Sequence, residues 1–435
     1  MSFPIRPLVA AVGLVLTLSA QAAKSPKPAA KAAPAPAPAV AAEFELAHNL
    51  GKLGEERLQA VVDHFNHESK SGTVKLVRLE KGAKPAPLNL VRRYDVEEIL
   101  GAPGKFMPLY QMMSVAKEPL KANDLSADLK AGAVDDKGRL VSLPIAYSTP
   151  VLFYNKNAFR KAKLDPEQPP KTWFEMQGVL DKLQDAGYNC PYTSSWPVWV
   201  HLDNVSAVSG VPAVSDKGVL NFNGLPQVKH VAMMATWTKA GYFRLFGRRA
   251  EANAKFQDGE CAMITTDSWE HTEFREARGV ELGVAPLPYH DDVYGGRQHT
   301  LADGASLWAG AGRTPNEYKM AAKFIAYLLQ PETQIELTRI YGQLPLTASS
   351  RTAARSKILG DSDRSLQVAY GSLMGNGAKP AIRVANIDLV RIIADEELEA
   401  VWSDKKPAKA ALDIAVSRGN AVLGAKPFLK KAQPF

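Results

Sequence analysis

The first hydrophobic pattern of the chain has the period of a helix, and the next has the period of a strand. The apolar residues of the first pattern share one helical face and comprise Leu50, Leu53, Leu58, Val61, Val62 and Phe65. The run TVKLVRL over residues 73–79 then alternates as a half-buried strand does. Together they predict a helix followed by a strand at the start of the folded chain.

Three later segments predict buried strands. Residues 141–155 read VSLPIAYSTPVLFYN, an apolar run rich in β-branched residues that predicts two successive strands. Residues 255–266 read KFQDGECAMITT, in which a helix end and a tight turn at Gly259 precede a strand. Residues 283–288, GVAPLP, predict one more strand.

Two capping boxes predict where helices begin. Thr172 with Glu175, and Thr314 with Glu317, have the required spacing, and Pro315 suits the first turn of the second helix. Further helices are predicted at the C-terminus, in DLVRIIADEELEAVW and, after Pro407, in AKAALDIAVSRGNAVL. Strands alternating with helices indicate an α/β fold with mainly parallel sheets.

The first 42 residues differ in composition from the rest. Arg6, the apolar run 8–18 and the small residues of Ala20-Gln21-Ala22 form the pattern of a cleaved export signal over residues 1–23. The apolar run is shorter than the roughly 20 residues that span a bilayer, although an uncleaved anchor is the alternative. Residues 24–42 are almost entirely Ala, Pro and Lys, which predicts an extended tether. We therefore expect a protein exported to the periplasm.

Charge and motifs exclude several classes of function. Four of the eight net positive charges lie in residues 1–42, which hold no acidic residue, so the remaining chain carries only +4. No basic face interleaved with aromatics stands out, so no nucleic-acid partner is expected. The chain has no GxSxG, HExxH or Walker A motif, and the loop over residues 101–106 lacks the Walker spacing. We expect no enzyme activity and no cofactor.

Two histidine clusters are weak candidates for metal or acid–base chemistry. His64, His67 and Glu68 share one predicted helix face, but no further ligand can be named. His290-Asp291-Asp292 follows a proline-rich turn and is expected to be an exposed loop. Neither cluster has an identifiable nucleophile beside it. No metal site is predicted.

The segment from Ser148 to Trp173, STPVLFYNKNAFRKAKLDPEQPPKTW, resembles extracellular solute-binding proteins of ABC importers (family 1), and within that family the branch that binds glycerol 3-phosphate. The same family is indicated by DGECAM, ADGASLW, YGQLPLT and VRIIADEELEAVW. The resemblance implies a two-lobe periplasmic binding protein fold (type II) with three chain crossings between the lobes. It assigns residues 43–147 and 284–341 to the first lobe, and residues 148–283 and 342–435 to the second. On this assignment, the strand predicted at residues 283–288 returns the chain to the first lobe.

The resemblance also implies a ligand site and a partner. Ser148 matches the hinge hydroxyl, Gly304 a glycine whose backbone approaches the ligand, and Arg383 the cleft arginine. Trp196 and Trp199, three residues apart, match the cleft tryptophans and would face one side of a helical turn. Cys190 and Cys261 match family cysteines and form either one disulfide or two buried thiols. The partners expected are a small polar solute and an inner-membrane ABC permease. The protein itself is expected to be a monomer.

The chain departs from the family at several site positions. Asp267-Ser268 stands where the family has serines, and Gln343 where it has a ligand-binding tyrosine. Tyr94 aligns near an acidic ligand residue, and AKPAPL replaces a helix after Lys81-Gly82. A carboxylate at position 267 would repel a phosphate by several kcal/mol in a partly dry cleft. We therefore expect a ligand less anionic than glycerol 3-phosphate: a polyol, a sugar or a choline-bearing glycerophosphodiester. The alternative is a degenerate binding fold with a sensory or protein-interaction role.

Overall fold

The computed structural model describes residues 42–423, apart from residues 51, 81, 93–103, 119, 121–124, 126–132, 136, 212, 216–217, 293–298, 358–363 and 374–386. The predicted export signal and nearly all of the tether lie outside the described residues, as do two predicted site residues, Tyr94 and Arg383.

The described strands are numbered in chain order. They are β1 (Ala42–His48), β2 (Gly72–Arg78), β3 (Leu88–Arg92), β4 (Phe106–Met107), β5 (Leu143–Ser148), β6 (Pro150–Asn155), β7 (Cys190–Ser194), β8 (Phe243–Arg244), β9 (Cys261–Asp267), β10 (Leu282–Pro286) and β11 (Asp303–Gly310). They form two sheets, one with the order β2-β1-β3-β11-β4 in which β5 also pairs with β11, and one with the order β10-β6-β9-β7-β8.

The helices lie between and after these strands. They are α1 (Lys52–Glu68), α2 (Leu109–Val115), α3 (Lys156–Lys161), α4 (Trp173–Asp185), α5 (Val205–Val208), α6 (Leu225–Ala240), α7 (Glu251–Gln257), α8 (His271–Phe274), α9 (Pro315–Leu328), α10 (Pro331–Tyr341), α11 (Ala348–Lys357), α12 (Arg364–Leu373), α13 (Ile387–Trp402) and α14 (Ala408–Leu423). A π-helical segment spans Trp199–Asn204 and a 3-10 turn spans Ser268–Glu270. None of the described helices is long and apolar enough to cross a membrane.

Both sheets mix parallel and antiparallel pairs. In the first sheet, β1 runs parallel to β2 and β3, while β11 is antiparallel to β3, β4 and β5. In the second, β7 is parallel to β8 and β9, while β6 is antiparallel to β9 and β10. The predicted α/β class is therefore confirmed. The sheets are not mainly parallel, however, because β11 in the first sheet and β6 in the second run antiparallel to every strand with which they pair.

Each sheet has its own hydrophobic core, and these two bodies are the lobes. The first core includes Phe44, Phe65 and Phe324, and the second includes Trp173, Trp199 and Trp237. The described chain passes from the first core to the second at Thr149 and returns with β11. It comes between the cores again at α12, whose Ala369 and Leu373 pack in the first core while the helix contacts β10 and β6 of the second sheet. This agrees with three crossings.

The strand at 283–288 is correctly predicted, but its predicted place is wrong. As β10, it pairs with β6 in the second sheet, with Val284 opposite Phe153. The strand that returns to the first sheet is β11, which starts at Asp303. The predicted return to the second lobe at 342 is also too early, because Leu344, Leu346 and Ala354 pack in the first core. Apolar periodicity predicts a strand but does not identify its neighbour.

Local signals were more dependable than these long-range ones. Both capping boxes are present, with Thr172 and Thr314 each accepting from the backbone N–H three residues later. The predicted first helix is α1, whose Leu58, Val62 and Phe65 are buried. Cys190 and Cys261 lie opposite each other on β7 and β9 and form a disulfide with Cα atoms 4.6 Å apart.

A row of three buried histidines crosses the second lobe. Nδ1 of His201 lies 3.0 Å from Nε2 of His230, and Nδ1 of His230 lies 3.1 Å from Nε2 of His290. The predicted exposed loop at 290–292 is therefore wrong for His290, although Asp291 and Asp292 are exposed. Backbone hydrogen bonds between Tyr289 and the start of α4 hold His290 inside.

Candidate functional site

Ser148 and Asp267 meet where the chain first leaves the first lobe. Ser148 ends β5, Thr149 follows, and β6 begins at Pro150, directly opposite Asp267 at the end of β9. The hydroxyl of Ser148 donates a hydrogen bond of 2.5 Å to Oδ1 of Asp267. Both side chains are buried. The two sheets thus place a serine from one lobe and a carboxyl from the other in contact.

The carboxyl of Asp267 holds its proton unusually strongly. Burial raises the pKa of Asp267 to about 7, and the nearby Asp303 raises it too, while the hydrogen bond from Ser148 and the indole of Trp196 act in the opposite direction. Burial and then Asp267 raise the pKa of Glu270 to about 8. Near neutral pH, the carboxyl groups of Asp267 and Glu270 are therefore only partly ionised.

The two tryptophans lie in different surroundings. Trp196 has φ +53 and precedes the π-helical segment, so its side chain is not in helical register with Trp199. Its indole interacts with Asp267, and its ring lies 6.0 Å from the guanidinium carbon of Arg249. Trp199 is 2% exposed and packs in the second core. The prediction that both face one side of a helical turn is wrong, because the left-handed residue interrupts that turn.

Gly304 lies on the other side of Ser148. It is the second residue of β11, its Cα pairs with that of Tyr147, and its N–H donates to Oδ1 of Asp303 at 2.7 Å. Asp303 itself pairs with Ser148 across the two strands. Ser148, Trp196, Asp267 and Asp303 are called the cleft cluster below, and Gly304 adjoins it.

Ser268 and Gln343 are not part of this cluster. The N–H of Ser268 donates to the carbonyl of Thr149 at 2.9 Å, and its hydroxyl accepts from the N–H of Thr149 at 3.3 Å, so Ser268 ties the crossing together. Gln343 lines a largely apolar recess of the first lobe, together with Trp269. Gly342 has φ +67, and a Cβ there would lie 3.2 Å from Cα of Trp269, so the backbone requires glycine beside that tryptophan.

Arg57 was not predicted, and it connects the two lobes. This α1 side chain donates to the Thr272 hydroxyl at 2.7 Å and to Oε1 of Glu273 at 2.5 Å. Its guanidinium carbon also lies 5.8 Å from the centroid of the Trp269 ring. It was missed because Arg57 lies in an ordinary amphipathic helix, and nothing in its local sequence distinguishes it from a solvated arginine.

The weak metal candidate on α1 forms ordinary side-chain contacts. Nδ1 of His64 lies 2.5 Å from the hydroxyl of Tyr327, and Nε2 lies 3.7 Å from Oε1 of Glu68. In the part of the chain that the structure describes, no three His, Cys, Asp or Glu side chains are arranged to hold a metal ion.

Comparison with known proteins identifies the family. A family model described as bacterial extracellular solute-binding protein matches residues 75–358. The sn-glycerol-3-phosphate-binding periplasmic protein of Pectobacterium atrosepticum is 36% identical over 399 residues, which cover 86% of this chain and 89% of that protein. This chain belongs to the bacterial extracellular solute-binding protein family. The corresponding protein of Salmonella typhimurium is 40% identical over 296 residues, or 66% of this chain and 68% of the relative.

Solved structures share the fold. The structure of the protein UgpB from Mycobacterium tuberculosis, in complex with glycerophosphocholine, has a TM-score of 0.70 at 19% identity and covers 88% of this chain and 98% of its own. The GacH receptor of Streptomyces glaucescens has a TM-score of 0.72 at 16% identity, with coverage of 88% and 98%. At these identities the likeness establishes the two-lobe fold, and the predicted family and fold are confirmed.

Proposed function

We propose that the protein is the periplasmic substrate-binding component of an ABC importer, and that it captures a small polar solute between its lobes by hinge closure. Relatives at 34–40% identity are named as glycerol-3-phosphate-binding proteins, which supports a solute of that chemical class. Its partners would be the permease subunits in the inner membrane. No catalytic step is proposed, since the relatives are binding proteins.

The observation that carries the choice of ligand is the contact between Ser148, Asp267 and Trp196. A phosphate monoester carries a charge of about −1.5 to −2 at neutral pH. Placed beside Asp267, it must either repel an ionised carboxylate or keep the carboxyl protonated, and both reduce its affinity. A glycerophosphodiester carries one phosphate charge, and a choline group adds a cation that suits both a carboxylate and an indole face. We infer that the ligand is less anionic than glycerol 3-phosphate.

Isothermal titration calorimetry on the wild type and on Asp267→Ser tests this proposal. The wild type is expected to bind glycerophosphocholine at least about tenfold more tightly than glycerol 3-phosphate, a difference of about 1.4 kcal/mol. Asp267→Ser should bind glycerol 3-phosphate more tightly than the wild type does. Asp291→Ser, which removes an exposed carboxylate outside the cleft cluster, is the matched control and should bind as the wild type does. Tight binding of glycerol 3-phosphate that Asp267→Ser leaves unchanged would show the choice of ligand to be wrong.

A further inference from the structure

Asp303 of the cleft cluster also belongs to a group of three charged side chains, with Arg391 and Asp203. Nε of Arg391, on α13, donates to Oδ2 of Asp203 at 2.9 Å, and Nη2 contacts the same oxygen. Nη1 of Arg391 donates to Oδ2 of Asp303 at 3.0 Å. Arg391 is 1% exposed and Asp203 is 5% exposed, so one buried guanidinium serves two carboxylates. Asp203 and Arg391 belong to the second lobe, whereas Asp303 begins the return strand of the first.

A second contact from the same π-helical segment fixes the same part of the chain. Oδ1 of Asn204 accepts a hydrogen bond of 2.7 Å from the N–H of Leu301, and its Nδ2 donates to the carbonyl of Trp199 at 2.9 Å. Consecutive residues, Asp203 and Asn204, therefore hold the chain at 301–303, the first through Arg391 and the second directly. The start of β11 is attached to the second lobe at two points.

This attachment determines where the charge of Asp303 lies. Asp303 pairs with Ser148 across the neighbouring strands, and Ser148 donates to Asp267, so both acidic residues adjoin Ser148. The proximity of Asp303 is one cause of the raised pKa of Asp267. The positive charge of Arg391 offsets part of the negative charge of Asp303. Because Arg391 also pairs with Asp203, its charge is shared between the two carboxylates.

We propose that Arg391 is a positioning residue of the binding cleft, which fixes the Asp303 carboxylate beside Ser148 and partly neutralises it, and thereby sets the charge that Asp267 presents to a ligand. Arg391 acts through Asp303. The effect on Asp267 exists in the ligand-free protein and is independent of which solute is bound. Only its consequence for ligand choice depends on the proposed function.

The groups around Asp267 define what a titration will report. Ser148 on β5, Asp303 on β11 and Trp196 after β7 act on its carboxyl directly. Glu270, in the 3-10 turn, is coupled to Asp267, and it is in turn influenced by Arg57 and Glu273. In the proposal, changes at Arg391 or Asp203 reach Asp267 through Asp303, which Arg391 contacts.

The test is a titration of Asp267 by NMR in the full chain, labelled with carboxyl-¹³C aspartate and free of added ligand. Asp267→Asn assigns the signal. Arg391→Gln removes the compensating charge and is expected to raise the midpoint by about one pH unit. Asp203→Asn removes the carboxylate that competes with Asp303 for Arg391 and is expected to lower the midpoint. Arg391→Lys, which keeps the charge, should stay nearer the wild type. Arg418→Gln is the control, since Arg418 on α14 pairs with Glu396 and Glu397 of α13, the helix that carries Arg391.

Shifts in opposite directions distinguish positioning from general damage, because a loosened core would move both variants the same way. An Asp267 midpoint that neither Arg391→Gln nor Asp203→Asn displaces would overturn the proposal. If Arg391→Gln does not fold, Asp203→Asn alone decides, and the absence of a downward shift would overturn it. Binding of glycerophosphocholine and glycerol 3-phosphate is measured separately, so failure of both to bind the wild type counts against the proposed function and leaves the titration result valid.

Discussion

Asp267 is buried, and its carboxyl accepts a hydrogen bond from the neutral hydroxyl of Ser148. A carboxyl in such surroundings is stabilised in its protonated form, so the folded protein binds a proton that the unfolded chain releases near pH 4. The contribution of Asp267 to stability is therefore fully present below that pH and is lost as the pH rises toward 7. Glu270 and Asp395, with raised pKa values of about 8 and about 7, act in the same direction.

Asp267→Asn should remove one part of this pH dependence. The free energy of unfolding of the variant, relative to the wild type, is expected to increase with pH between about 5 and 7 by roughly 1.4 kcal/mol per pH unit. Urea unfolding at a series of pH values measures the difference. Asp291→Asn should show no such trend, and a flat difference for Asp267→Asn would mean that the folded carboxyl is ionised throughout.

Some residues of the candidate site could be named from the sequence, and others could not. The motif-matched positions Ser148 and Gly304, and the departure at Asp267, could be named because the family pattern is local there. Arg57 and Arg391 could not, since their partners lie 215 or 188 residues away in the chain and each arginine occupies an unremarkable helix. Trp196 lies near Asp267, but the argument from its spacing to Trp199 failed because Trp196 has a positive φ.

The histidine row connects the π-helical segment, α6 and the turn after β10 within the second lobe. Burial lowers the pKa of His201 to about 3 and that of His290 to about 4, and it lowers the pKa of His230 well below its usual value. For His230 the neighbouring histidines add to the effect, while Lys229 lowers and Asp291 and Asp292 raise the pKa of His290. All three histidines are therefore neutral when folded at neutral pH.

This row should make the second lobe sensitive to acid. The unfolded chain takes up protons at these histidines below about pH 6.5, whereas the folded chain does not, so their contribution is complete above that pH and is lost as the pH falls. His290→Asn is expected to reduce the loss of stability between pH 6 and pH 4.5, as measured by urea unfolding. His64→Asn, at a half-exposed position, serves as the control. An unchanged acid dependence in His290→Asn would contradict neutral burial of the row.

Elements differ in how far their sequence determines them. Helix starts at Thr172 and Thr314 were predictable because the capping box is a contact within four residues. The sheet to which β10 belongs was not, because its neighbour β6 lies more than a hundred residues earlier and both sheets accept an apolar strand. His290 was misplaced for a similar reason, since its burial depends on the pairing of Tyr289 with α4.

The two lobes meet at the cleft cluster, at the Arg391 ion pairs and at Arg57. A solute held among such contacts binds the folded protein and not the unfolded chain, so it must raise the melting temperature by mass action. The stabilisation reaches about 2.7 kcal/mol when the free ligand is at a hundredfold excess over Kd. The proposed hinge closure would place the solute among these contacts.

The first measurement is a thermal-shift titration of the protein with glycerophosphocholine, glycerol 3-phosphate, maltose and simple polyols. We expect the melting temperature to rise with at least one of these solutes, and to rise more with glycerophosphocholine than with glycerol 3-phosphate at equal concentration. A melting temperature that no solute changes at millimolar concentration would contradict solute capture. It would favour the alternative, a binding fold that has been kept for a sensory or protein-interaction role.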